Sequence, residues 1–283
     1  MEDQKIMLVY RTFILDRAST QWNRTSSKMQ QALFSSSDGT IRLWDCHTGQ
    51  CDNVINIGGE VGSVCSEDPW LFVGMPNVVK VWDTESGAKY SLNGPVGQVN
   101  ALESVYNLLF AGLEDGVILA WKDTYETNIT FQLAATLKGH THGITSLVVG
   151  GGNRLYSGSK DHRIIVWDHE NWQCIMTLNG HDDVVKFLMC WDKYLFSGSL
   201  DCTIKVWAST EDGSLEVIYT HSEEQGILAL SGMTDPDVKP ILFTDKGRLF
   251  AKQEVQTLQI GPADLFFTGD QIGLLTVYIW LAD

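Results

Sequence analysis

The sequence has little proline, little charge and few basic residues. Proline accounts for 6 of its 283 residues, and charged residues make up 19 % of the chain, below the usual quarter. Acidic residues outnumber basic ones by 35 to 20, so the formal net charge is −15. Because neutralisation of phosphates provides much of the affinity for nucleic acids, this balance argues against a chain that binds nucleic acid by itself. No apolar run approaches the roughly 18 residues of a membrane-spanning helix, so we expect no membrane span.

Cysteine patterns typical of disulfide scaffolds or zinc fingers are also lacking. No Cys-x-x-Cys pair occurs, and no cysteines and histidines have zinc-ligand spacing, so we predict free thiols and neither a metal nor a cofactor. The apolar N-terminal stretch is interrupted by Arg11 and Asp16 and does not resemble a signal peptide. We therefore expect an intracellular protein, cytoplasmic or nuclear. The six cysteines are Cys46, Cys51, Cys65, Cys174, Cys190 and Cys202.

Glycine and tryptophan are plentiful, with 26 and 10 residues, and many of them belong to an internal repeat of about forty residues. Each copy contains an apolar pair, a Ser/Gly turn, an aspartate, and an apolar strand that ends in tryptophan. The best copies are 33–45, 155–168 and 195–207, and weaker copies are 71–83, 109–121 and 265–280. The repeat tryptophans are Trp44, Trp82, Trp121, Trp167, Trp207 and Trp280. The last gap spans nearly two periods, so we expect a degraded copy within it.

The copy at 138–178 shows which strands the repeat predicts. Its apolar runs, separated by turn residues, predict the four strands Ile144–Val149, Leu155–Ser159, Arg163–Trp167 and Cys174–Leu178. A four-stranded sheet of this size cannot bury both of its faces alone. Stacking such sheets around an axis buries them against one another and leaves only short, protected edges. The repeat therefore predicts an all-β fold.

The repeat resembles the WD-repeat β-propellers over residues 30–283. Besides the aligned copies, the resemblance is carried by the dipeptides Gly139-His140, Gly180-His181, Trp44-Asp45, Trp82-Asp83 and Trp167-Asp168. It implies a propeller domain at 31–283. Before it, residues 1–30 form an atypical segment, from which we expect one closing strand within Lys5–Leu15.

We predict seven blades, of which the first and the sixth are incomplete, with six blades as the alternative. Residues 16–30 read as a polar loop where the innermost strand of the first blade is expected. In the sixth blade Asp245–Gly247 leads directly to Arg248–Ala251, so a strand with its tryptophan is missing. An incomplete blade exposes strand edges, which promotes aggregation unless something covers them.

The resemblance also implies a buried hydrogen-bond network in two blades, running from tryptophan through serine and histidine to aspartate. In one blade the members are His140, Ser157 or Ser159, Asp161 and Trp167. In the next they are His181, Ser197 or Ser199, Asp201 and Trp207. A Ser/His/Asp trio also makes up a hydrolase triad, but this set repeats from blade to blade and no Gly-x-Ser-x-Gly motif occurs. We therefore predict a stabilising role, no catalytic residues and no enzymatic activity.

Within the WD-repeat proteins, the sequence is similar to a plant group that joins a CCCH zinc finger to a propeller. The stretches that carry this similarity are 51–62, 67–80, 91–99, 250–255 and 260–262. In that group the zinc finger lies upstream of the propeller, and this chain has no cysteine before Cys46. We therefore expect the chain to lack the finger, and the RNA or zinc binding that the finger implies is not carried over.

Function is then expected on surfaces, because loops on a rigid scaffold are common binding sites. The family implies that residues just before the turn aspartate point onto the top face, and here these are Ser37, Glu114, Lys160 and Leu200. We predict a non-enzymatic scaffold that binds a protein or peptide there, and the acidic balance favours a basic partner. Alternatives are an RNA-associated adaptor and a substrate-recognition subunit of a ubiquitin ligase. The sequence indicates no oligomeric state.

Overall fold

The computed structural model describes residues 8–14, 18–22, 31–36, 39–45, 50–67, 69–124, 131–191, 193–229, 255–260, 265–270 and 274–279. All regular secondary structure in this part of the chain is β-strand, which confirms the predicted all-β fold. None of these residues belongs to a helix that could cross a lipid bilayer.

The described residues form 24 strands. The first twelve are β1 (Leu8–Ile14), β2 (Ala18–Trp22), β3 (Gln31–Ser36), β4 (Thr40–Asp45), β5 (Cys51–Asn56), β6 (Ser63–Glu67), β7 (Trp70–Met75), β8 (Val78–Asp83), β9 (Lys89–Asn93), β10 (Val99–Val105), β11 (Leu108–Leu113) and β12 (Ile118–Asp123). The second twelve are β13 (Phe131–Leu137), β14 (Ile144–Gly150), β15 (Arg154–Ser159), β16 (Ile164–Asp168), β17 (Cys174–Leu178), β18 (Val185–Trp191), β19 (Tyr194–Ser199), β20 (Thr203–Ser209), β21 (Leu215–Ser222), β22 (Val255–Ile260), β23 (Leu265–Asp270) and β24 (Leu274–Ile279).

In the described part of the chain these strands make six four-stranded antiparallel sheets. The first to fifth sheets are β2–β5, β6–β9, β10–β13, β14–β17 and β18–β21, each with its strands in chain order. The sixth, which we call the closing sheet, has the order β1-β24-β23-β22. Its N-terminal strand lies beside its C-terminal one, with Leu8 opposite Ile279 and Ile14 opposite Leu274. Backbone hydrogen bonds therefore join the two ends of the described chain.

Neighbouring sheets pack through their first strands. Strand β6 contacts β2 and β10, and β14 contacts β10 and β18. Strand β2 also contacts β22, the edge strand that lies beside β23 in the closing sheet. The contacts thus run from the fifth sheet back to the first and on to the closing sheet. This is the order expected of sheets that are stacked around an axis.

The interfaces between sheets bury large apolar side chains. Phe72, Leu109 and Trp121 belong to one buried cluster that joins the second and third sheets. Similar clusters join the third sheet to the fourth and the fourth to the fifth. The repeat tryptophans Trp121, Trp167 and Trp207 are 2 %, 2 % and 3 % exposed. Removal of such apolar surface from water, at about 25 cal/mol per Å², drives the stacking of the sheets.

The predicted strands of the repeat at 138–178 are found as β14–β17, with bounds that differ by at most one residue. The interpretation of residues 16–30 as a polar loop is wrong for Ala18–Trp22. This segment forms β2 and pairs with β3, so the first sheet has all four strands. The polar pattern is misleading because strand pairing satisfies the backbone whatever the side chains are, and threonine and tryptophan favour strands.

A contact that recurs between sheets bears on the number of blades. In four sheets the second strand carries a glycine that makes room for a β-branched residue of the following segment, and a Cβ on it would lie only 2.3–2.8 Å from that residue's side chain. The pairs are Gly74 with Val99, Gly112 with Ile144, Gly158 with Val185, and Gly198 with Ile227. The first three partners each begin the next sheet, and Ile227 makes the same contact after the fifth sheet. Residues 230–254, on which the predicted sixth blade and its missing strand depend, lie outside the described residues.

Candidate protein-binding face

Three of the predicted partner-binding residues occupy the same position in successive sheets. Glu114, Lys160 and Leu200 directly follow the second strands of the third, fourth and fifth sheets. In each case the backbone N–H donates to a carbonyl oxygen just before the first strand of the same sheet. These bonds join Glu114 to Gln98 (3.0 Å), Lys160 to Gly143 (2.9 Å) and Leu200 to Val184 (3.0 Å). We call the surface made by Glu114, Lys160 and Leu200 the turn face.

The chemical character of the turn face changes from sheet to sheet. Glu114 and Lys160 are exposed, whereas Leu200 is half-buried. The three side chains are thus acidic, basic and apolar in turn. This mixture matches the varied surface of another protein better than it matches a single small ion. The fourth predicted residue, Ser37, lies outside the described residues.

Lys186 is a residue near the turn face that the sequence analysis missed. It is the second residue of β18 and lies at a shift of register between Val185 and Phe187. Asn100 and Thr145 lie at the same shift in β10 and β14. Such bulges re-aim side chains. The available signal was a polar residue directly after the β-branched residue that starts each of these strands.

The positive charges of Lys186 and Lys160 repel each other. Burial lowers the pKa of Lys186, and the positive charge of Lys160 lowers it further. In the described part of the chain neither ammonium forms an ion pair with a carboxylate. Two neighbouring cations without a counter-charge favour an anionic group between them.

Below the turn of the fourth sheet lies the first predicted network. The Trp167 Nε1–H donates to Ser157 Oγ at 2.9 Å, and His140 Nε2 lies 2.8 Å from the same oxygen. The other ring nitrogen of His140 lies 2.9 Å from Asp161 Oδ2. Asp161 also accepts the Thr141 backbone N–H at 3.0 Å. The network therefore ties the turn to β15, to β16 and to the segment that leads into β14.

The fifth sheet repeats this arrangement. The Trp207 Nε1–H donates to Ser197 Oγ at 2.8 Å, and His181 Nε2 lies 2.7 Å from that oxygen. His181 Nδ1 lies 2.7 Å from Asp201 Oδ2, and the Thr203 hydroxyl donates to Asp201 Oδ1 at 2.6 Å. The structure therefore brings together all six residues that the resemblance assigned to the networks.

The alternative serines of the two blades have a different task. Ser159 Oγ donates to the His142 carbonyl at 2.9 Å and accepts the Asp161 backbone N–H at 3.1 Å. Ser199 Oγ donates to the Asp183 carbonyl at 3.0 Å. The network serines are therefore Ser157 and Ser197, while the others hold the turn against the preceding loop.

The protonation states follow from burial and hydrogen bonding. Burial by itself would raise the pKa of Asp161, but hydrogen bonds from the Thr141 amide and from His140 outweigh it and lower the pKa to about 2. Burial would likewise raise the pKa of Asp201, but hydrogen bonds from the Thr203 hydroxyl and from His181 outweigh it and lower the pKa to about 2. Burial lowers the pKa of His140 and of His181 despite their aspartates. Because an ionised carboxylate only accepts, each neutral histidine donates its Nδ1–H to aspartate and accepts the serine hydroxyl at Nε2.

Neither network is arranged as a catalytic triad. Ser157 and Ser197 are 0 % exposed, and each hydroxyl is already engaged by an indole and an imidazole. A serine nucleophile must reach its substrate, and these serines have no access to one. The geometry is that of two buried, fully partnered polar networks that hold turns in place.

Residues 19–45, 131–168 and 172–208 match the family described as "WD domain, G-beta repeat". The chain contains WD repeats. The second and third matches include the two networks, from His140 to Trp167 and from His181 to Trp207. The predicted resemblance to the WD-repeat propellers is therefore confirmed.

The WD-repeat chain is also similar to plant zinc-finger proteins. It is 53 % identical over 268 residues to "Zinc finger CCCH domain-containing protein 17" of Oryza sativa subsp. japonica, which covers 89 % of this chain and 61 % of that protein. It is 51 % identical over 262 residues to "Zinc finger CCCH domain-containing protein 48" of Arabidopsis thaliana, covering 87 % and 60 %. The predicted similarity to this plant group is confirmed, and the chain spans about 60 % of the length of these relatives.

A solved structure supports the fold. A chain from the "Crystal Structure of Mitotic Checkpoint Complex" matches with a TM-score of 0.79 at 18 % sequence identity, covering 100 % of this chain and 94 % of that chain. The fold is therefore that of a WD-repeat β-propeller. Such propellers are in general non-enzymatic scaffolds, and none of these matches indicates a catalytic family.

Proposed function

We propose that this WD-repeat propeller is a non-enzymatic scaffold that binds a protein or peptide on its turn face. The observation that carries the proposal is the common placement of Glu114, Lys160 and Leu200, each held by a backbone hydrogen bond at the same point of three successive sheets. A backbone fixed in this way loses little conformational entropy when a partner binds. Three chemically different side chains on a fixed backbone can therefore recognise an extended surface.

The charges of the turn face suggest what such a partner presents. The overall acidity favours a basic partner, and Glu114 would meet a basic group. Lys160 and Lys186, in contrast, would meet an acidic group, since neither has a carboxylate partner among the described residues. A partner segment complements all of these residues if it carries a basic residue for Glu114, an acidic residue for the two lysines and an apolar residue for Leu200.

The test is affinity purification with a matched pair of variants. Full-length chain carrying Lys160→Glu and Leu200→Arg is compared with chain carrying Lys122→Glu and Leu133→Arg, which makes the same chemical changes at exposed positions of the third sheet. Quantitative mass spectrometry should show partners that the first variant loses and the second keeps. An identical set of partners on both variants would remove the turn face as the binding surface.

The same purification separates the RNA-associated alternative from the scaffold. Treatment with ribonuclease at physiological salt should leave the turn-face partners bound, because the contacts proposed are between proteins. Loss of all partners with ribonuclease, together with recovery of cross-linked RNA, would favour the RNA-associated adaptor instead.

A further inference from the structure

A cavity of about 420 Å³ lies between the fourth and fifth sheets, away from the turn face. Its walls come from the hairpin Gly150–Arg154 between β14 and β15, from the hairpin at Lys193 between β18 and β19, and from Ser209 and Leu215 on either side of the β20–β21 turn. Arg154 begins β15 and Lys160 follows its end, so the strand separates the cavity from the turn face by about 20 Å.

The charged residues of the cavity lining, Arg154 and Lys193, are both positive, in a chain whose net charge is −15. Burial raises the pKa of Tyr156, and the neighbouring Arg154 partly offsets this rise. The Lys193 ammonium lies 5.5 Å from the centroid of the Tyr194 ring. In the described part of the chain neither cation forms an ion pair with a carboxylate. The cavity thus combines two cations with two aromatic rings.

Two groups near these cations, Asp168 and Cys190, do not form ion pairs with them. Asp168 lies opposite Arg154 in the strand register, but its carboxylate forms no ion pair with Arg154 and instead accepts a hydrogen bond from the Asn171 side chain of its own turn at 2.8 Å. The Cys190 thiol lines the cavity, and burial, with the charge of Glu103, raises its pKa to about 12. The thiol is therefore neutral, and Glu103 itself is not part of the lining.

The rest of the lining gives the cavity an apolar floor and an open rim. Leu195 and Leu215 are 2 % and 8 % exposed. A Cβ at Gly150 would lie 2.8 Å from the Tyr156 ring, so glycine lets the hairpin close over that ring. At Gly151, in contrast, a Cβ would meet nothing within 4 Å. A chain that approaches along this hairpin meets no side chain at that point.

We propose that this cavity binds an acidic segment of a protein partner, at a site separate from the turn face. A carboxylate of the segment pairs with Arg154 and Lys193, and an adjacent apolar side chain packs on Leu195 and Leu215. Arginine suits this task because its guanidinium can pair a carboxylate through two parallel hydrogen bonds. The volume of about 420 Å³ falls within the range of ligand pockets in proteins.

The probe for this site is a displayed library of random peptides, selected on the immobilised full chain. We expect the selected peptides to be enriched in aspartate or glutamate next to an apolar residue. The best peptide is then measured by fluorescence anisotropy. Changing Arg154→Gln and Lys193→Gln should weaken its binding about tenfold or more. Changing its acidic residues to amides should weaken binding to a similar degree.

Matched variants make the result decisive. Lys89→Gln with Lys122→Gln removes the same charge from exposed positions of other sheets and should leave binding unchanged. Lys193→Gln alone, at an exposed position, provides a second cavity variant that keeps Arg154 in its packing. Selection without enrichment of acidic residues would overturn the proposal. So would acidic peptides that bind the cavity variants as well as the original chain, or that are lost on Lys160→Glu, which would assign them to the turn face.

Discussion

The fourth and fifth sheets hold their turns with a hydrogen-bond network, whereas the second and third sheets fill the same space with apolar side chains. Ser157 of β15 corresponds to Val73 of β7 and to Ala111 of β11, and all three are 0 % exposed. The repeat tryptophans Trp121 and Trp167 are nevertheless equally buried, at 2 % exposed. The burial of these tryptophans between sheets therefore does not depend on the network, which adds hydrogen bonds that fix the turn.

The two pairs of sheets should differ in how much free energy of unfolding is lost when a single polar side chain is removed. In the third sheet Asp115 accepts one hydrogen bond, from the Val117 N–H at 3.0 Å, and is exposed. In the fourth sheet the Asp161 side chain is 3 % exposed and joins His140 and Arg163. A buried polar group is inexpensive only while it keeps its partners. The network sheets should therefore be the more sensitive ones.

The largest effect is expected for Asp161→Ala. It leaves the buried His140 Nδ1–H and the Thr141 amide without their acceptor, so we expect a loss of about 3 kcal/mol in the free energy of unfolding. Asp115→Ala in the third sheet should lose less than about 1 kcal/mol. Urea titration of both variants checks the comparison. An unchanged midpoint for Asp161→Ala would contradict the structural role of the network.

The next largest effect is expected when the network serine of the fourth sheet and the corresponding alanine of the third sheet are each replaced by the other residue. Ser157→Ala removes the acceptor of the Trp167 indole N–H, and Ala111→Ser places a hydroxyl where alanine is fully buried. Each change should destabilise the chain by about 2 kcal/mol, the first by orphaning a donor and the second by desolvating a hydroxyl. Thermal melting measures both. If either exchange were neutral, the two fillings would be interchangeable and the comparison would fail.

Much of this organisation could be predicted from the sequence, because the repeat shows the strand pattern directly. The strands at 138–178 follow from apolar runs and turn residues. The choice between Ser157 and Ser159 does not follow, because residues two apart point to the same face of a strand. Only the distance to the Trp167 indole distinguishes them. The strand Ala18–Trp22 is not evident from the sequence because Ala-Ser-Thr-Gln-Trp lacks the alternation of apolar and polar residues that indicates a strand, and only its pairing with β3 reveals it.

The surfaces were less predictable than the fold. The repeat alignment points to Glu114, Lys160 and Leu200, since their position relative to the turn aspartate is a property of each copy alone. Lys186 depends on a shift of register between β18 and β19. The cavity with Arg154 and Lys193 depends on how two sheets pack together. Features of this kind combine segments that are distant in sequence, so no single motif reveals them.

The contributions of the third and fourth sheets to the free energy of unfolding should depend on pH with opposite signs. Burial raises the pKa of Glu103 in the third sheet from 4.5 to about 7, so its contribution to stability is full below pH 4.5 and is lost as the pH rises through 7. Asp161 and His140 have lowered pKa values, so the network loses stability as the pH falls. At pH 8, Glu103→Gln should therefore raise stability by about 1–2 kcal/mol, because the amide avoids burying a charge.

Melting curves of Glu103→Gln and the original chain from pH 4 to pH 8 check this sign. The two curves should converge toward the acidic end, where Glu103 is protonated in both the folded and unfolded chain. A gain from Glu103→Gln that is the same at both ends of the range would mean that packing, and not titration, distinguishes the two residues.

The smallest effect on stability is expected for a substitution on the turn face, at Lys160 of the fourth sheet. Lys160 is exposed, so Lys160→Glu should change the free energy of unfolding by less than about 0.5 kcal/mol. The pKa of Lys186 should nevertheless rise, because a repelling cation becomes an attracting anion while the burial of Lys186 stays the same. An NMR titration that follows the lysine Nζ resonances measures this change, with Lys122→Glu as the control. An unmoved Lys186 would mean that the two ammonium groups are too far apart to share one acidic group of a partner.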